Sequence, residues 1–176
     1  MPAQSGTYRS AGVDIDAADS AKDQIAERIA ATHNVSVLRG VGLFGGFFRS
    51  PKSDGNVVLV SSADSVGTKV LVAAIAGDHI GIGIDLVNHC LNDILACGAR
   101  PLFFLDYYAT PSLDQLQLQQ VVAGLTQACQ EAGCALIGGE TAQLPGIYQP
   151  GSYDLAGFVV GAVDEQQIVD GAKIRE

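Results

Sequence analysis

The chain has 176 residues, 48% apolar and 16% charged, with a net charge of −9. That length fits one domain of roughly 100–200 residues, large enough to bury about 70% of its unfolded surface without disulfides or a structural metal. The composition excludes a disordered chain, the acid excess argues against nucleic acid as a partner, and no apolar run approaches the roughly 18 residues of a membrane span.

The chain start lacks a basic segment, an apolar core and a cleavage site, so no secretory leader and a cytoplasmic location are expected. Residues 1–15 read as an irregular or extended arm. A helix is expected over 19–32, with Ile25 and Ile29 on one face. Residues 35–50 are rich in glycine and aromatics, and Pro51 with Asp54-Gly55 marks a turn. A strand is expected over 56–64, a short helix over 66–76 ending at Gly77, and a longer helix over 84–97 stopping at Gly98. Aromatic content predicts a strand over 101–109. A helix over 112–132 should end at Gly133. A strand over 134–138 should lead into a glycine-acid loop, and a last strand should cover 153–163. This order predicts a mixed α/β (α+β) fold. Cys90, Cys97, Cys129 and Cys134 lack metal or redox spacing and read as reduced core thiols.

Four segments carry candidate chemistry. Gly40, Gly42 and Gly45 fit G-x-G-x-x-G, with Asp64 about twenty residues on. That motif must open a helix whose N-terminus holds pyrophosphate. The residues after Gly45 run Gly46-Phe47-Phe48-Arg49-Ser50-Pro51, a poor helix start, so a glycine flap or glycine-bearing strand is the better reading. The second segment is 61–69, where an apolar strand delivers Asp64 to its end just before a helix containing Lys69. A strand end facing a helix N-terminus is where α/β proteins place ligands. Asp64 there can hold a divalent cation and Lys69 can neutralise phosphate; an ordinary helix-capping turn is the alternative. The third is a polar helix stripe of Asp85, His89 and Asp93 at i, i+4, i+8, flanked by Asn88 and Asn92. A solvated face is its alternative. The fourth is 138–146, where Gly138 and Gly139 permit close backbone approach to a ligand and Glu140 follows at once; a bare loop is its alternative. Asp64, Asp93 and Glu140 together would make a carboxylate set suited to Mg²⁺ bound through phosphate oxygens.

The segments AGVDIDA (11–17), DSVGTK (64–69), IGIDLVNHCLNDIL (82–95), PLFFLDYYAT (101–110), GGETAQLPG (138–146) and YDLAGFVVGAV (153–163) run in an order that resembles the phosphoribosylformylglycinamidine cyclo-ligase (aminoimidazole ribonucleotide synthetase) family of purine biosynthesis. The resemblance covers about residues 8–173. It implies a ligase that uses ATP and Mg²⁺ to phosphorylate the formyl amide oxygen of formylglycinamidine ribonucleotide, whose nitrogen then closes the imidazole ring and releases phosphate. It implies metal and catalytic roles for Asp64, Asp93 and Glu140, and nucleotide contacts from these with Lys69, Gly138 and Gly139. Gly45-Gly46 would belong to a mobile segment near the site.

The resemblance also implies an arm over 1–15, an ATP-binding N-terminal domain over 16–170, and over 171–176 the start of a linker to a C-terminal domain absent from the chain. That domain type has a mixed sheet with helices on one face, and the sheet pairs with a partner's into a barrel, making a homodimer. Three positions depart from the family: Ser65 stands where Gly is usual, Gln143 where an acid is usual, and Ala18-Asp19 where Gly-Asn is usual. Two other readings remain. One is a related phosphotransferase of the selenophosphate synthetase or thiamine-phosphate kinase type, and the other is a non-catalytic nucleotide-binding or dimerisation module.

Overall fold

The computed structural model describes residues 15–16, 26, 28–39, 43–50 and 56–175. Most of the expected arm and first helix, the Pro51 turn, and Gly40 and Gly42 lie outside these residues. Within them, Ile15, Asp16, Ala26 and residues 28–30 are helical.

Among the described residues from 46 onward, five strands and three α-helices follow one another as β1 (Gly46–Arg49), β2 (Val57–Ser65), α1 (Lys69–Ala76), α2 (Ile80–Ala96), β3 (Arg100–Thr110), α3 (Gln115–Glu131), β4 (Ala135–Gln143) and β5 (Asp154–Asp164). The sheet order is β1-β2-β5-β3-β4. All neighbours are antiparallel except β3 and β4. Both β2 and β3 run antiparallel to β5, so they are parallel to each other with β5 inserted between them. The expected mixed sheet is therefore present.

Alternation along the strands builds one buried face. Val58 and Val60 of β2, Leu155 and Val159 of β5, and Phe104 and Tyr108 of β3 point to the helices. There they meet Leu86, Val87, Cys90 and Ile94 of α2 and Val121 and Leu125 of α3 in a single core. The opposite face leaves Phe48, Val57 and Phe158 about 40% exposed.

Helix ends follow local chemistry. Gly77 takes φ +66 and closes α1 by donating to Ala73. Asp114 caps α3, its carboxylate accepting from the amides of Leu116 (2.9 Å) and Gln117 (3.1 Å). At the far end Gly133, φ +65, donates to Gln130, and Cys134 donates to Cys129, forming a Schellman closure.

Four boundaries differ from expectation by three residues or more. α3 starts at Gln115 rather than 112, behind the Asp114 cap. α1 starts at Lys69 rather than 66 because Gly67 sits at φ +58. α2 starts at Ile80, four residues early, since Gly81 and Gly83 weaken the helical pattern there. Gly83 is required by packing: a Cβ on it would overlap the Val121 carbonyl oxygen and lie 2.8 Å from the Leu125 nitrogen of α3. The fourth difference is in β4. The expected glycine-acid loop is strand through Gln143, pairing residue by residue with β3 up to Thr110. The long partner strand supplies ladder bonds that the local sequence does not advertise, and Ile137 is the extra residue of a bulge opposite Phe104 and Leu105.

Candidate functional site

The C-terminal half of β2 turns polar while its register continues. Ser62 and Asp64 lie on the helix-facing side, in line with Val58 and Val60, and so meet α2 where the apolar floor ends. The stripe on α2 is directed at this strand end, not at solvent alone. Asp85 Oδ2 accepts from Lys69 Nζ of α1 at 2.7 Å. His89 Nε2 donates to Asp64 Oδ2 at 2.9 Å. Ser62 Oγ donates to Asp93 Oδ2 at 2.6 Å. Asp64 Oδ1 also accepts the Ser65 amide at 2.7 Å. All three stripe residues therefore have partners on β2 or α1, and His89 gains one that sequence reasoning did not name. Only the tertiary pairing of β2 with α2 reveals it.

Cys90 lies between the two carboxylates and is fully buried. Burial pushes its thiol up to about 12, and the charges of Asp64 and Asp93 add to the rise. It is a floor for the site and not a nucleophile. Ser65 is compatible with its backbone, since no described non-glycine residue has positive φ. Its Oγ accepts the Gly67 amide at 3.3 Å.

Gly45 leads into strand β1 and not into a helix, as the sequence reading favoured. A Cβ on Gly45 would lie 2.7 Å from Val60 Cγ1. Beside it a cavity of about 470 Å³ is lined by Arg39, Phe44, Gly45, Gly46, Ser61 and Ser62. The cavity thus reaches Ser62, the residue that donates to Asp93.

Glu140 is elsewhere. Across the sheet Asp64 stands opposite Gly157, Gly157 opposite Asp106, and Asp106 opposite Gly139. Three strand spacings of 4.7–4.9 Å put Gly139 about 14 Å from Asp64. Glu140 is the next residue and turns to the opposite face, away from α2 and α3, beside Tyr107. Among the described residues no group of three or more His, Cys, Asp or Glu is arranged to hold a metal. Within one chain, then, Asp64 and Asp93 stand at two neighbouring contacts between β2 and α2, and Glu140 does not join them.

Gly139 also has a structural reason to be glycine. A Cβ there would overlap the Asp106 carboxylate and backbone oxygen. Asp106, which sequence reasoning did not single out, is half-buried, and burial holds its carboxyl above the ordinary value of 3.8. Asp106, Gly139 and Glu140 border a second cavity of about 460 Å³ with Leu105, Tyr107 and Phe158.

The donor set at the β2–α2 junction fits Mg²⁺. It offers two carboxylates with hard oxygens, and Asp93 Oδ1 takes part in no hydrogen bond among the described residues. Mg²⁺ is commonly held by one or two carboxylates plus phosphate oxygens rather than by a full protein cage.

Comparison with known proteins places the chain in a family. The family described as AIR synthase related protein, N-terminal domain, matches residues 46–163. A protein of Anaeromyxobacter sp. (strain K) named phosphoribosylformylglycinamidine cyclo-ligase is 55% identical over 169 residues, covering 96% of this chain and 49% of that protein. One of the same name from Picosynechococcus sp. is 51% identical over 168 residues, with 96% and 49% covered. The chain thus spans about half the length of the curated relatives it matches. Among solved structures, AaThiL complexed with AMPPCP and TMP aligns with TM-score 0.64 and 15% identity, covering 86% of this chain and 44% of that one. Thermotoga maritima PurL complexed with ATP aligns with TM-score 0.59 and 20% identity, covering 81% and 24%. At those identities the likeness is one of fold.

Proposed function

Because the chain belongs to the family of AIR synthase related proteins, we propose that it is the ATP-binding, dimer-forming N-terminal domain of a cytoplasmic phosphoribosylformylglycinamidine cyclo-ligase. The observation that carries the reading is the junction of β2 and α2, where Asp64 of β2 accepts from His89 of α2 and Asp93 of α2 accepts from Ser62 of β2. Relatives 51–55% identical bear the cyclo-ligase name, which favours it over a related kinase.

In this reading Asp64 and Asp93 hold Mg²⁺ on the phosphates of ATP. Bound there, Mg²⁺ would supply charge neutralisation for transfer of the terminal phosphoryl group, with ADP as the leaving group, to the formyl amide oxygen of formylglycinamidine ribonucleotide, which ring closure would expel as phosphate. The protein's task is positioning and charge stabilisation, not covalent catalysis. Lys69 exchanges its surface bond to Asp85 for a phosphate oxygen, and the glycine segment at Gly45-Gly46 borders the nucleotide. Glu140 and the backbone of Gly138 and Gly139 reach a Mg²⁺-nucleotide from a second copy, because their own chain holds them about 14 Å from Asp64 and Glu140 on the other face. The apolar open face with Phe48, Val57 and Phe158 is the surface on which two sheets meet in a homodimer. The half of the relatives' length outside the match contributes a second domain, following a linker that begins near residue 171.

Calorimetry with Mg²⁺ and a non-hydrolysable ATP analogue tests the site. Asp64→Ala and Asp93→Ala should each weaken Mg²⁺-dependent binding while the fold stays intact. Unchanged affinity in both variants would sink the assignment. ADP release in the full-length protein should depend on formylglycinamidine ribonucleotide; release driven by a different acceptor would point to the kinase-like branch.

A further inference from the structure

We propose that His89 and Ser62 are positioning residues that orient the two site carboxylates through a crossed pair of hydrogen bonds. The proposal rests on the reading of Asp64 and Asp93 as the Mg²⁺-nucleotide carboxylates. Ser62 and Asp64 are two residues apart on a strand, about 6.6 Å along its axis. His89 and Asp93 are four apart on a helix, about 6 Å along its axis. The spacings match, so strand and helix meet in two rungs: His89 Nε2 to Asp64 Oδ2 at 2.9 Å, and Ser62 Oγ to Asp93 Oδ2 at 2.6 Å. In one rung the acid is on the strand and in the other it is on the helix. Each carboxylate is therefore held by the element opposite its own.

The rungs take one oxygen of each acid. A carboxylate has about four acceptor positions, so both acids keep lone pairs, and Asp93 Oδ1 has no other claim on it among the described residues. Beneath the rungs lie Cys90 and Leu86, both fully buried, which offer no strong donor. Ser62 and His89 are thus the side-chain donors that fix the rotamers of the two acids. Donors to ligating groups usually alter metal affinity by 10–100-fold when removed.

The competing account is that His89 merely occupies Asp64 and must leave before a cation binds. The two accounts predict opposite signs. In the full-length protein, His89→Leu and Ser62→Ala should each weaken Mg²⁺-dependent binding of a non-hydrolysable ATP analogue by about tenfold. His89→Gln and Ser62→Thr, which retain a donor, should recover most of the loss. Nucleotide binding without Mg²⁺ should be unchanged in all four. Tighter or unchanged Mg²⁺-dependent binding in His89→Leu and Ser62→Ala, with Asp64→Ala still impaired, would overturn the positioning role alone. Unchanged binding in Asp64→Ala would instead overturn the reading of the site, and this proposal with it. Should His89→Leu fail to fold, the Ser62 pair decides.

Discussion

The crossing of α2 and α3 should respond to a single methyl group with opposite signs at two glycines. Helix propensity alone favours Gly→Ala in a helix interior by about 0.5–1 kcal/mol. Gly81, in the first turn of α2, has nothing within 4 Å of an added Cβ, so Gly81→Ala should stabilise the fold by at most about 0.5 kcal/mol and cost nothing in packing. Gly124 is different. A Cβ there would overlap the carbonyl oxygen of Ile80 and lie 3.0 Å from the Ile84 nitrogen. Both are helix backbone and cannot rotate away, so the helices must separate. Overpacking costs typically 1–3 kcal/mol, and a backbone clash belongs at the upper end. After the propensity gain, Gly124→Ala should lose about 2 kcal/mol. For a domain of this size that is a fall in Tm of about 4–8 °C. Thermal unfolding followed by circular dichroism compares the two variants with the parent. The packing argument is refuted if Gly124→Ala gains stability as Gly81→Ala does.

Three further outcomes are expected. Asp106 has its folded pKa raised by burial, so the folded state binds its proton more tightly than the unfolded chain, and stability falls as pH rises from about 3.8 through the folded value. Asp106→Asn should flatten that part of the Tm–pH curve and raise Tm at neutral pH; an unchanged curve would show that burial does not perturb the group. Burial pushes the Cys90 and Cys129 thiols up to about 12 and raises Cys97 and Cys134 as well. A thiol reagent at neutral pH should therefore label none of the four quickly in the native protein and all of them in denaturant, and rapid native labelling would contradict their placement. Sedimentation equilibrium should give a dimer at micromolar concentration, whereas a monomer would remove the role assigned to the open face.

What was legible in the sequence was whatever local pattern decides. The polar run 61–65 after an apolar strand marks Asp64 as a strand-end residue, and its i, i+4, i+8 spacing marks the α2 stripe. What escaped depends on neighbours distant in sequence. His89 acquires its meaning from Asp64, twenty-five positions earlier, because β2 and α2 run side by side. Gly83 and Gly124 look like helix breakers until two backbones are seen to touch through them. Gly138-Gly139 reads as a loop, yet it is strand, since a long parallel neighbour supplies its hydrogen bonds and Asp106 fills the space a Cβ would take. The same limit separates the three expected carboxylates. Spacing along the chain cannot tell that Glu140 lies three strands from Asp64 and faces the other way. That separation is what motivates the proposed interface, since Glu140 lies on the open side of the sheet, away from the strand end that carries Asp64. Under the proposed dimer, the carboxylates at the β2–α2 contacts are assigned to this chain's own site and Glu140 to a second copy's.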